Sequence, residues 1–268
     1  MASKLQVALL QMDVFIGDVE RNYEQAAHLI SQAKQEQPTI KVIILPELWN
    51  TGFQLDQIKQ LADQDGHRTK QFLAQLSKQH DVYIVGGSVA ELKEDQVLNT
   101  TYVYDPTGAQ IANYSKVHLF RLMNEEKHLT PGNDTSLFSV EETTAGSIIC
   151  YDTRFPELSR KLAISGAKMM FVPAQWPHPR LHHWRTLLMA RAIENQMYVI
   201  ACNRSGVSDN THFFGHSLVI DPWGEVIAEA SEEETILYAE IDLHLVDDVR
   251  AKIPVFQDRR PEIYKIEE

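Results

Sequence analysis

The chain has 268 residues, 44% hydrophobic and 23% charged, with a formal net charge of −12. That composition supplies a sizeable core, and the acidity argues against nucleic acid or an anionic membrane as a partner. Cys150 and Cys202 make neither a disulfide framework nor a cysteine metal site, so a reducing cytoplasm fits; the N-terminal residues run into a strand-like stretch without a signal-peptide pattern, and no apolar run is long enough for a bilayer.

In chain order, residues 5–10 read as a buried strand. A polar loop follows, and Asp18 is placed to cap a helix running to about residue 35, with Tyr23, Ala26, Ala27 and Ile30 on one face. Residues 41–46 form a second strand, 69–80 a helix, and 81–87 a third strand. Residues 98–104 and 109–115 read as a hairpin about Asp105-Pro-Thr-Gly108. A strand at 136–140 pairs with the one leading into Cys150. Then come a helix at 156–165, a strand at 168–172, a helix at 181–194 and a strand at 197–202. A second hairpin turns at Asp221-Pro-Trp-Gly224, and a strand at 235–241 precedes a helix starting at Leu243. Hairpins mixed with crossovers predict an α/β fold of two sheets packed face to face with helices outside. A single doubly wound sheet would need fewer hairpins. With no repeat or linker, residues 1–268 read as one domain.

Polar residues stand at comparable strand ends: Glu47 after Leu45-Pro46, Lys116 after Tyr114-Ser115, and Cys150 after Ile148-Ile149. Strand ends are where active-site loops converge. Cys150 also precedes the start of a helix, where partial positive charge favours a thiolate. Together these residues make a thiol nucleophile, a base, and a cation that lowers the thiol pKa and holds an oxyanion. Taken singly, a lone cysteine is more often a small core hydrophobe, Glu47 a loop carboxylate and Lys116 a surface cation.

The flanking residues resemble the nitrilase superfamily of carbon–nitrogen hydrolases. The matching stretches are Leu45-Pro-Glu-Leu-Trp-Asn-Thr-Gly-Phe53, Tyr114-Ser-Lys-Val-His-Leu-Phe120 and Ile148-Ile-Cys-Tyr-Asp-Thr-Arg-Phe-Pro-Glu157. Support comes from Gln11, Gly17-Asp18, Asn22, Thr130-Pro-Gly132, Val172-Pro-Ala-Gln-Trp-Pro177 and Arg191-Ala-Ile-Glu-Asn-Gln196. The resemblance implies an α-β-β-α sandwich and a Glu-Lys-Cys triad. Glu47 is then the general base, Lys116 the oxyanion and positioning residue, and Cys150 the nucleophile that forms a thioester. A second glutamate is expected before the Pro-Gly turn. Counting back from Gly132 favours Glu125, with its neighbour Glu126 as fallback. The chemistry needs water and a small amide substrate, and no cofactor or metal.

The run from Cys150 to Glu157 and the stretch His118-Leu-Phe-Arg121 are similar to those of ω-amidases, which act on short α-keto acid ω-amides. Arg154 suits a substrate carboxylate through its bidentate fork, and an ion pair with Asp152 or Glu157 is the competing reading. Trp176, Tyr151 and Phe53 are pocket candidates. Alternatives within the superfamily are a nitrilase or an N-carbamoyl-amine amidohydrolase; outside enzymes, a catalytically silent binding or regulatory member. His178, His182 and His183 lack a carboxylate or cysteine spaced to complete a metal site, and read as surface. Cys202 reads as a core cysteine. The helix at 181–194, with Trp184, Leu187, Leu188, Ala190, Ala192 and Ile193, is more apolar than a one-sided helix requires. In the resembling family this region builds a dimer interface, so a homodimer is expected.

Overall fold

A computed structural model describes residues 4–208 and 210–264. The termini of the expected 1–268 domain lie outside that range. Strands β1 (Lys4–Gln11), β2 (Val42–Ile44), β3 (Asp63–Gln64), β4 (Tyr83–Val85), β5 (Val89–Lys93), β6 (Gln96–Tyr104) and β7 (Gln110–Ser115) form most of one sheet. The chain then supplies β8 (Ser136–Val140), β9 (Thr143–Ser147), β10 (Met169–Ala174), β11 (Tyr198–Asn203), β12 (Ser205–Ser208) and β13 (Thr211–Phe214). It ends through β14 (Leu218–Ile220), β15 (Val226–Glu229) and β16 (Thr235–Asp242). The helices are α1 (Val19–Glu36), α2 (Ile58–Leu61), α3 (His67–His80), α4 (Pro156–Ile164), α5 (Leu181–Asn195) and α6 (His244–Lys252).

The first sheet runs β16-β1-β2-β4-β6-β5-β3, with β7 also paired to β6. The second runs β15-β14-β11-β10-β9-β8, and β12 and β13 form a separate ribbon. Both sheets are mixed: β1, β2 and β4 are parallel, whereas β16 and β6 run antiparallel to their neighbours. The strand period of two sorts the apolar residues into layers. Leu5, Val7 and Leu9 of β1 pack with Phe171 of β10 and Ile200 of β11 between the sheets. Ala8 and Leu10, one residue out of phase, face Tyr23, Ala26 and Ile30 of α1 and Leu73 of α3. On the far side, Met170, Val172 and Val199 face Leu162 of α4 and Trp184, Leu188 and Ala192 of α5. The layers are therefore α-β-β-α, and burial on both faces explains why the central strands read as unbroken apolar runs.

Asp18 caps α1 by accepting from the Arg21 N–H, as its position suggested. The elements that sequence patterning missed are short or lie against the strand ends: β3, β5, α2 and the β12–β13 ribbon. Their pairing is set by tertiary contact, so no local period announces them.

Gly87 shows how tightly the strand ends pack. Its φ is +59°, and a Cβ there would lie 2.1 Å from the Pro46 carbonyl oxygen and 2.9 Å from the Leu45 carbonyl carbon. Only glycine tolerates both the left-handed backbone and that approach. Gly87→Ala is expected to cost about 2–3 kcal/mol by forcing the backbone just before Glu47 to shift. Urea unfolding checks this, and a loss below ~0.5 kcal/mol, within the range of neutral surface changes, would show that the segment yields freely.

Candidate active site

The strand ends converge as the patterning predicted. Glu47 follows β2 and is fully buried, as is Lys116 just past β7. Lys116 Nζ lies 2.8 Å from Glu47 Oε1 and 2.8 Å from Glu125 Oε1, so one ammonium bridges two carboxylates. Each remaining acceptor is also used. Glu47 Oε1 takes a second bond from Asn99 Nδ2 at 2.8 Å, and Oε2 accepts the Gln175 N–H at 2.9 Å. Glu125 Oε2 accepts the Phe120 N–H at 2.9 Å. Glu125 is 1% exposed, while the fallback Glu126 is exposed and outside the cluster.

The cluster also joins the two sheets. Gln175, just beyond β10, returns a bond from Nε2 to the Glu47 carbonyl at 2.6 Å. Its Oε1 accepts from the fully buried Arg204 at 3.0 Å, and Arg204 reaches Asp13 at 3.0 Å.

Cys150 opens a one-and-a-half-turn 3-10 helix, Cys150–Arg154, rather than an α-helix, and its φ is +46°. A non-glycine residue in that region is strained by about 1–2 kcal/mol. Asp152 holds it there. Asp152 Oδ2 accepts the Ile149 N–H at 3.0 Å and the Tyr114 hydroxyl at 2.7 Å. Oδ1 accepts the His118 N–H at 2.9 Å and lies 2.8 Å from His118 Nδ1. Tyr114 and His118 flank Lys116, so this one carboxylate fastens the lysine segment to the cysteine turn. The expected alternative of an Arg154–Asp152 ion pair is thereby overturned, because the Asp152 oxygens are committed elsewhere. Arg154 instead lies over the Trp176 ring, 4.8 Å from its centroid, with Nη2 3.4 Å from His183 Nδ1.

The electrostatics correct the expectation that the helix start and Lys116 leave the thiol pKa lowered. Burial pushes the Cys150 thiol well above the ordinary cysteine range. The Glu47 charge adds to this, Lys116 opposes it, and Glu125 pushes it further up. Burial is the largest cause, because a thiolate loses its hydration in a dry site, and the neighbouring carboxylates add to it. Burial by itself would lower the Lys116 pKa, but Glu125 and Glu47 together hold it well above its ordinary value. Glu125 is raised by burial, against the pull of Lys116.

Above the thiol lies a narrow cleft, nearly filled by the side chains around it. The expected Phe53, Tyr151, Arg154 and Trp176 all line it, with Glu125 and Cys150 at its polar end. Sequence reasoning missed Arg180, Phe120 and Met123, which also line it. Arg180 stands 5.6 Å from the Phe120 ring centroid. Burial lowers its pKa, and the nearby Arg154 charge lowers it further. Its place, four residues beyond Trp176 in a Pro-rich loop, was the only sequence signal for it. Cys202 is fully buried between the sheets, its Sγ 3.3 Å from the Leu10 carbonyl oxygen, as a core cysteine would be.

Known proteins resemble the chain over nearly its whole length. A family profile described as Carbon-nitrogen hydrolase matches residues 6–251. The chain is 45% identical over 261 residues to the 2-oxoglutaramate amidase of Bacillus subtilis, covering 97% of this chain and 100% of that one. It is 32% identical to an omega-amidase of Homo sapiens, covering 99% and 98%. The crystal structure of Saccharomyces cerevisiae Nit3, described as a member of branch 10 of the nitrilase superfamily, superposes with a TM-score of 0.89 at 34% identity, covering 96% of this chain and 97% of that one.

Two outcomes follow from the geometry. Lys116→Met leaves two carboxylates buried together and is expected to cost about 3–5 kcal/mol. Adding Glu125→Gln should recover part of that loss, and chemical denaturation of both variants measures it. The ultraviolet thiolate signal that separates wild type from Cys150→Ala should be absent at neutral pH and emerge only in the alkaline range. A signal already complete at neutral pH would contradict the charge balance.

Proposed function

The chain belongs to the carbon–nitrogen hydrolase family, and on that premise we propose that it is an ω-amidase releasing ammonia from a short α-keto acid amide through a Cys150 thioester. The observation that carries the substrate class is the pair Arg154 and Arg180 lining one small cleft with the thiol. Among the described residues neither is ion-paired with a protein carboxylate; their neighbours are aromatic rings and His183. Uncompensated guanidinium groups in a narrow pocket favour a ligand with its own carboxylate at the far end from the amide. The names of the relatives from Bacillus subtilis and Homo sapiens support the same class.

The chemistry follows from the resting thiol. Cys150 Sγ attacks the amide carbonyl carbon while its proton passes to Glu47, so negative charge moves onto the substrate oxygen rather than accumulating in the cluster. The Lys116 ammonium and the Tyr151 N–H hold that oxygen. The Tyr151 amide belongs to the first turn of the 3-10 helix, whose leading donors have no intrahelical partner. Collapse of the intermediate breaks the C–N bond, and Glu47 returns the proton to the departing ammonia. Water then attacks the thioester and gives its proton to Glu47, with Glu125 fixing the lysine and the water. Collapse breaks the C–S bond, and Glu47 returns that proton to the Cys150 sulfur, leaving the dicarboxylate and the regenerated thiol. No metal or cofactor enters this sequence.

We further propose a cytoplasmic homodimer. Trp184, Leu188 and Ala192 of α5 are consumed by the core, yet Ile193 remains 54% exposed and Trp223, in the neighbouring β14–β15 turn, 40% exposed. Ile193 packs beside that turn, and apolar side chains left exposed next to one another favour coverage by a second copy. Light scattering at micromolar concentration should give twice the chain mass, and a monomer would contradict the dimer.

For the activity, short keto-acid amides should be hydrolysed in preference to nitriles and cationic carbamoyl amines, and Cys150→Ala should abolish turnover without unfolding the chain. Arg154→Ala should lower kcat/KM for the keto-acid amide by roughly 10–150-fold, the equivalent of ~1.5–3 kcal/mol for a charge-assisted contact. It should spare an uncharged amide such as propionamide. Preference for nitriles, or equal losses on both amides, would overturn the substrate assignment.

A further inference from the structure

His178, His212 and Glu232 come from distant parts of the chain, yet their donor atoms all lie within 4.8 Å of one another. His178 Nε2 is 3.6 Å from Glu232 Oε1, and His212 Nε2 is 3.7 Å from Glu232 Oε2. Each imidazole therefore addresses a different oxygen of one carboxylate. Both separations exceed a hydrogen bond. They are close to the ~3.4 Å donor spacing of a tetrahedral zinc site, given Zn–N and Zn–O bonds of about 2.0–2.2 Å. Small rotations of these half-exposed side chains close the difference.

The backbone under each donor is fixed. The His178 N–H donates to the His212 carbonyl at 2.9 Å, and Pro177 bridges to Phe213. The His178 ring stands edge-on to the buried Phe214, 5.3 Å between centroids. On either side of Glu232, the carbonyls of Ser231 and Glu233 accept from the buried Gln11 amide at 2.7 and 2.6 Å. Three donors on anchored backbone form a partly preorganised site, which reduces the ordering cost of binding.

We propose that His178, His212 and Glu232 bind one divalent transition-metal ion of the zinc class, with at least one coordination position left to water. Two imidazoles and a carboxylate suit zinc, nickel or cobalt, and are poor for calcium or magnesium, which take oxygen donors. The site lies beside the cleft. His178 belongs to the segment that gives Trp176, Pro177 and Arg180 to the cleft wall, and the groove lined by His178 and His212 shares Met123, Pro177 and Arg180 with it. It is separate from the thiol and from the Glu47–Lys116–Glu125 cluster.

The test is calorimetric titration of the tag-free full chain with zinc chloride, alongside His212→Ala, Glu232→Gln and Cys150→Ala. All three variants keep the fold's core intact, and circular dichroism verifies this. One ion per chain is expected at micromolar affinity or tighter, weakened about tenfold or more by His212→Ala and by Glu232→Gln and unchanged by Cys150→Ala. Cobalt(II) loaded in place of zinc should show d–d bands without a thiolate-to-cobalt charge-transfer band. Absence of binding below ~100 μM, unchanged affinity in His212→Ala, or a thiolate charge-transfer band that disappears in Cys150→Ala would each overturn the proposal. These readouts do not depend on the amidase reading.

Discussion

One ammonium buried between two carboxylates governs this molecule. Lys116 touches Glu47 and Glu125 at equal distance with all three side chains closed off from water. Burying three charges costs several kcal/mol per ion unless geometry and hydrogen bonds offset it. Here nearly every acceptor is taken by Asn99, Gln175 or a backbone N–H. That requirement explains much of the surrounding architecture. Asn99 must be presented by β6, Gln175 by the end of β10, and the loop after Lys116 must return Phe120 to Glu125. The sandwich of two sheets brings these ends to one place, and Gly87 allows the Glu47 segment to pack close enough.

The same charge balance shapes the chemistry. Burial and the two carboxylates together raise the Cys150 thiol pKa, against the pull of Lys116. Asp152 supplies the matching mechanical constraint. It keeps a non-glycine residue at positive φ and ties that turn to both neighbours of Lys116. The stacking of His118 on Phe155, 3.5 Å between centroids, braces the far end of the turn.

The layered α/β fold was legible because its central strands are apolar on both faces and its helices carry capped or one-sided patterns. Glu47, Lys116 and Cys150 were legible because each follows a recognisable strand, and the flanking motifs tied them together. The choice between Glu125 and Glu126 was harder, since neighbours differ only in which one the short 3-10 turns rotate inward. The direction of the thiol pKa shift was misread, because a count of nearby cations ignores burial and the second carboxylate. Arg180 and the Glu232 partner of His178 were invisible for a common reason. Both are defined by loops meeting across the fold, and neither has a periodic pattern or a local spacing to betray it.

The most direct test of the account is the mass of the enzyme stopped with acid during turnover of 2-oxoglutaramate. The chain should gain the mass of the substrate less ammonia, and proteolysis should place the adduct on the peptide containing Cys150. Turnover with Cys150 unmodified throughout, or an adduct on Cys202, would contradict it.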